Sequence, residues 1–202
     1  MPSAIIHASV AKKINKVLKL DEELFILGNI APDCWRNGKN FGSRALSHFL
    51  PDNAVDEDYH LFYNKYKNNL NDPFVIGYLI HLMTDFYWRH NVTVNEARLP
   101  LVDNFDIGNY ERKKFINAEH SILDEVAKYY NLSKILIPNY KNHVVEEIDL
   151  TGLDDTVYYI NNAYFNYVHY DSSVYDYDKL ISCIDNLSLF LLNELSRLNI
   201  GI

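Results

Sequence analysis

Two pairs of residues in this 202-residue chain repeat one spacing that suits metal chemistry: His81 with Asp85, and His120 with Asp124. Residues four apart on a helix project from one face about a turn apart, so each pair aims an imidazole and a carboxylate the same way. Such groups ligate zinc, iron or manganese, and the sequence does not choose among them. The alternative for either pair is a buried His–Asp hydrogen bond with no metal. His7 adds a third candidate, on the apolar face ahead of Val10 and Ala11. A lone histidine there is often a satisfied core residue. Three helices each turning such groups inward suggest a shared polar centre, and helix bundles build metal sites in this way.

The elements that must position these groups are helical. Apolar residues recur at spacings of three and four and strand alternation is nearly absent, which predicts an all-α, compact multi-helix domain with a metal cluster between core helices. Neither an internal repeat nor a flexible linker divides residues 1–202, so one domain is expected. Ser3 and Asp21 are placed as N-caps of the first two helices, the second breaking within 28–33. Further helices are expected over 43–50 and 56–70. Asp72-Pro73 then opens the most apolar helix, to about residue 87. The remaining helices fall near 109–130, 154–167 and 178–198, the last with a core-facing stripe through Leu180, Ile184, Leu187, Leu191 and Leu195. On the helix from 74, the main stripe is Ile76, Leu79, Ile80, Met83 and Tyr87, with His81 and Asp85 beyond its edge. Burying an ionised Asp85 there without a cation or hydrogen bonds would cost several kcal/mol.

Composition narrows the function. The balance of 27 acidic against 19 basic residues argues against a basic nucleic-acid surface, although bound metals could still attract a phosphorylated substrate. Two cysteines, Cys34 and Cys183, are too few and too far apart for a disulfide scaffold. With no signal-peptide pattern at residues 1–7 and no apolar run long enough to span a bilayer, a cytoplasmic protein without a transmembrane segment is expected.

Five segments carry a resemblance. His7, Gly28-Asn29-Ile30-Ala31-Pro32-Asp33, Ser47-His48-Phe49, the stretch from Gly77 to Asp85, and His120-Ser121-Ile122-Leu123-Asp124 occur in the order found in zinc-dependent phospholipases C. The chain resembles that family over residues 7–124. The resemblance implies a cluster of two or three zinc ions, and the donor types would also suit iron or manganese. Asp33, His48, His81 and Asp85 would hold one ion. His90, His120 and Asp124 would hold a second, and His7 with Asp85 bridging a third. His90 lies five residues after Asp85 where the family usually has six, and five residues turn a helix by about 140°, so His90 joins only if the helix unwinds near Trp88. On family grounds Asp33 is also the candidate general base.

The expected function is a metal-dependent phosphodiesterase of the phospholipase C type, acting on a phospholipid head group or a smaller phosphoester. Clustered metals activate water and stabilise charge on phosphoryl oxygens. The alternatives are a helical binding or scaffold protein with a structural metal, and an enzyme like the single-strand nucleases. Arg89 could contact a phosphate, or be a solvated surface residue.

Overall fold

The computed structural model describes residues 2–36, 44–51, 57–90, 122–138, 144–148, 151–165 and 176–200. Every regular element among them is helical, so the all-α expectation holds.

Helix α1 (Ala4–Leu18) starts where Ser3 Oγ accepts the Ile6 N–H at 3.4 Å. It stops at Lys19, whose left-handed backbone (φ 54°) turns the chain. The Asn15 amide then holds the turn by donating to the Leu20 carbonyl (3.1 Å) and accepting the Leu20 N–H (2.9 Å). Helix α2 (Glu22–Ile30) is capped by Asp21, which accepts the Leu24 N–H. The expected break within 28–33 takes the form of a tighter 3-10 helix, Ala31–Arg36. Pro32 has no N–H to continue the α-helical ladder, and the Ala31 N–H before it is shared between the Gly28 and Leu27 carbonyls. Asp33 rides on this segment.

Helix α3 (Arg44–Ser47) is shorter than the sequence suggests because Phe49 adopts a left-handed conformation (φ 51°) that ends it. That bend leaves His48 just past the helix. Helix α4 (Tyr59–Tyr66) passes into a 3-10 turn at Lys67–Asn69. Helix α5 (Pro73–His90) follows Asp72, whose carboxylate accepts the Phe74 N–H at 2.9 Å. It outlasts the expected end at 87 and stays helical through His90. Residues 122–129 form α6; the earlier part of the helix expected over 109–130 lies outside the described residues. Helices α7 (Thr151–Phe165) and α8 (Tyr177–Arg197) match the last two expected elements within a turn.

Helix α5 is the axis of the core: every residue from Phe74 to Asp85 is buried. Helices α1, α2, α4 and α8 pack against it. Its closest neighbour is α2, and two glycines explain the approach. A Cβ on Gly28 would lie 2.0 Å from the Phe74 carbonyl oxygen, and one on Gly77 would lie 2.1 Å from that of Phe25. Only glycine lets the two backbones meet this closely. The contact presents the end of α2 to the face of α5 that bears His81. Helix α8 lays Leu180, Ile184, Leu187, Leu191 and Leu195 against the core, as its periodicity predicts. No helix among the described residues is long and apolar enough to cross a membrane.

Candidate metal centre

Five of the residues singled out in the sequence meet between α1, the 3-10 segment, α3 and α5. His7, His48, His81 and Asp85 are buried to 1 % exposure or less. The Asp33 side chain keeps 17 % of its surface.

Each ring is held so that a particular nitrogen faces its neighbours. The Asn29 carbonyl, at the α2–α5 contact, lies 2.7 Å from His81 Nδ1. A carbonyl oxygen only accepts, so Nδ1 carries the proton and the Nε2 lone pair is left for a ligand. His48 Nδ1 lies 2.9 Å from Ser47 Oγ, whose hydroxyl donates to the Arg44 carbonyl (3.4 Å). With its proton so engaged, Oγ accepts from Nδ1–H, and His48 Nε2 is likewise a lone pair. The Tyr78 hydroxyl donates to the Ser47 carbonyl and pins this turn to α5. The Asn29 amide, oriented with its nitrogen towards α1, donates to the His7 carbonyl (2.9 Å) and accepts the His81 N–H (3.3 Å). Asn29 therefore ties together the three helices that frame the site.

The lone pairs converge. His48 Nε2 lies 3.4 Å from His81 Nε2, 3.6 Å from Asp85 Oδ2 and 3.7 Å from Asp33 Oδ1. His81 Nε2 is 3.7 Å from Asp85 Oδ2. Two ligands about 2.0–2.1 Å from a tetrahedral zinc ion stand about 3.3–3.4 Å apart, so these spacings are near those of a zinc shell. The other Asp85 oxygen, Oδ1, faces His7 Nε2 at 3.2 Å. His7 stacks on His81 with ring centres 3.8 Å apart. Both His7 nitrogens and both Asp85 oxygens are buried without a hydrogen-bond partner among the described residues. Orphaned buried groups of this kind are rare unless a ligand satisfies them, so the donor set fits a cation.

The electrostatics agree. Burial pushes His7 down to about 4, and burial together with the adjacent His7 ring pushes His81 down to about 4. Burial and the His81 ring hold His48 well below the usual imidazole range. Burial raises the Asp85 carboxyl. Neutral imidazoles are ligands as they stand, and a divalent ion would draw Asp85 to its carboxylate form.

A stability profile follows for the metal-free protein. Between pH 6.5 and about 4 the unfolded chain protonates His7 and His81 before the folded one does, as it does His48. Stability should therefore fall as pH drops through that window. Asp85 opposes this, because its raised carboxyl takes up a proton earlier in the folded state. Three imidazoles outweigh one carboxyl. The urea midpoint of chelator-treated protein should be lower at about pH 4.5 than at about pH 7. A midpoint that did not fall would contradict the neutral, buried rings.

The other expected ligands are not brought to this group. Helix α5 does not unwind near Trp88, and His90 is exposed at its end, beside Phe86. Asp124 on α6 is paired with Lys128 at the surface. His120 lies outside the described residues, so the second ligand set is not assembled among the described residues. Cys34 and Cys183 are buried in the core and not joined in a disulfide. Arg89 is not a simple solvated residue: it pairs with the buried Glu57 at 3.2 Å.

The sequence reading passed over Asn29, Ser47, Arg44 and Glu57. Asn29 and Ser47 stand inside motifs already noted, and their roles follow from side chains folding back on the neighbouring rings. Glu57, a single acidic residue ahead of α4, carries no spacing that would mark it.

The described helices bring two overlapping donor groups together, His7 with His81 and Asp85, and Asp33 with His48 and His81, an arrangement that fits the class of helical proteins with a zinc-type donor set. The model of the zinc-dependent phospholipase C family matches residues 3–170, and the chain belongs to that family. Comparison with curated proteins and with solved structures gives no match. Membership carries the class of chemistry, a metal-dependent hydrolase of the phospholipase C type.

Proposed function

We propose that the protein is a zinc-dependent phosphodiesterase whose ion is held by Asp33, His48, His81 and Asp85. The observation that carries this is that His48 Nε2 lies 3.4–3.7 Å from donor atoms of His81, Asp85 and Asp33, with His81 Nε2 3.7 Å from Asp85 Oδ2. Zinc bound there supplies a Lewis acid and lowers the pKa of a coordinated water towards ~7. His81 and His48 offer neutral Nε2 atoms kept in place by Asn29 and Ser47, which is the usual outer-shell arrangement. Asp85 is shared: Oδ2 faces the quartet and Oδ1 faces His7, so His7 and Asp85 offer a second cation position. Asp33 is the quartet member open to solvent. Asp33 would be the carboxylate placed to accept a proton from an attacking water, as general base. The substrate is a phosphodiester, of a phospholipid head group or a smaller molecule. Two buried cysteines that form no disulfide suit a reducing, cytoplasmic setting.

A donor set drawn from four side chains also favours a second reading, a closed structural zinc. Activity separates the two. Zinc-loaded protein should hydrolyse a generic phosphodiester and a phosphatidylcholine head group assayed side by side. Chelation should abolish the hydrolysis and added zinc should restore it. A protein that retains stoichiometric zinc yet hydrolyses neither would leave only the structural role.

A further inference from the structure

Beside the ligand quartet lies a second cluster of charge. Glu57 has a side chain with no exposed surface, and its Oε1 accepts from Arg44 Nη2 and, at 3.2 Å, from Arg89 Nη2. Arg44 Nη2 also lies 3.9 Å from Asp85 Oδ2. One guanidinium thus spans from a buried carboxylate to a carboxylate of the metal centre. The Arg44 side chain keeps 24 % of its surface, so it borders both the site and solvent. Its Nε is buried with no acceptor among the described residues.

Burying Glu57 is expensive unless the carboxylate has a task. Its position gives one: it fixes Arg44 at the edge of the quartet. The charges point the same way. Asp33, Glu57 and Asp85 bring three negative charges here, and Arg44 and Arg89 two positive ones. With a divalent ion bound and Asp85 drawn to its carboxylate form, these five side chains and the ion sum to a net positive charge of one. An occupied centre therefore attracts an anion, and Asp85, drawn to the ion, then competes less for Arg44. A guanidinium so released offers planar paired donors to a phosphate oxygen pair.

We propose that Arg44, positioned by Glu57, binds the phosphate group of the substrate beside the metal ion. This rests on the phosphodiesterase reading for the substrate, but the binding can be measured without turnover. The probe is inorganic phosphate, titrated calorimetrically into zinc-loaded wild type, Arg44→Gln, Arg44→Lys and Arg197→Gln, with zinc content and helix content measured on each. Arg197 pairs with Glu194 near the end of α8 and serves as a control for charge alone. Arg44→Gln should keep its zinc and weaken phosphate binding by about tenfold or more, the scale of losing a hydrogen bond between charged groups. Arg44→Lys should fall between, because it keeps the charge and loses the fork, and Arg197→Gln should match wild type. Phosphate binding by zinc-loaded Arg44→Gln within about twofold of wild type would overturn the assignment. So would loss of zinc from both Arg44 variants with helix content intact, which would make Arg44 a support for the ligand set. Wild type that binds phosphate through Arg44 but hydrolyses no phosphodiester would sustain this inference and overturn the reaction. Wild type that hydrolyses, with Arg44→Gln binding phosphate unchanged, would do the reverse.

Discussion

His81→Ala should cost the protein its metal-dependent activity while leaving its helices in place. His81 is shared by both donor groups, the one with Asp33 and His48 and the one with His7 and Asp85. Its loss therefore depletes every cation position the described residues offer. Removing an outer-shell partner of a ligand commonly costs 10–100-fold in affinity or activity, and a direct ligand should cost more than about 100-fold. The fold has less at stake, because α5 keeps its apolar contacts through Leu79, Ile80, Leu82 and Met83. The expected result is zinc content near background, phosphodiester hydrolysis below about 1 % of wild type, and little change in far-ultraviolet circular dichroism. Wild-type hydrolysis by the variant, assayed with zinc present, would remove His81 from the mechanism.

Asp85→Asn should separate metal binding from stability in opposite directions. Asp85 is 1 % exposed, its two oxygens have no hydrogen-bond donor among the described residues, and burial raises its carboxyl. Without a cation, a folded protein near neutral pH must either ionise that group at a cost or hold a proton on it. Asparagine is nearly the same shape and avoids the charge. The metal-free variant should accordingly melt at or above the temperature of metal-free wild type. With zinc the order should invert. Free zinc at a thousand times its dissociation constant stabilises a folded protein by about 4 kcal/mol. For a chain of this size that is roughly 8–16 °C in melting temperature, and the variant should gain only a small part of it. The check is a set of four thermal melts, wild type and variant, each with chelator and with zinc. An equal zinc-induced rise in both proteins would mean that Asp85 is no ligand.

Much of this arrangement is legible in the sequence, and the reasons are local. The spacing of His81 and Asp85 states that both leave α5 on one face, and their position beyond the apolar stripe states that they face partly inward. Ser3, Asp21 and Asp72 announce helix starts that the structure keeps. His90 shows the opposite case: its place depends on whether α5 opens near Trp88, and the helix stays closed. Asp124 carries the same spacing from His120, and among the described residues its carboxylate pairs with Lys128. Which oxygen of Asp85 meets which ring depends on how α1 and the turn after α3 sit against α5, and Glu57 is buried through its pairing with Arg44 and Arg89 from two different helices. Contacts between segments far apart in the chain leave no period to read.

The central claim is that zinc sits among two imidazoles and two carboxylates, and X-ray absorption at the zinc edge of the loaded protein tests it most directly. The account predicts a first shell of nitrogen and oxygen only, at about 2.0–2.1 Å, with the outer-shell scattering of imidazole rings. Cys34 follows Asp33 directly and is buried in the adjoining core, so a thiolate site is the natural competitor. A sulfur shell at about 2.3 Å, or a spectrum without imidazole scattering, would contradict the account.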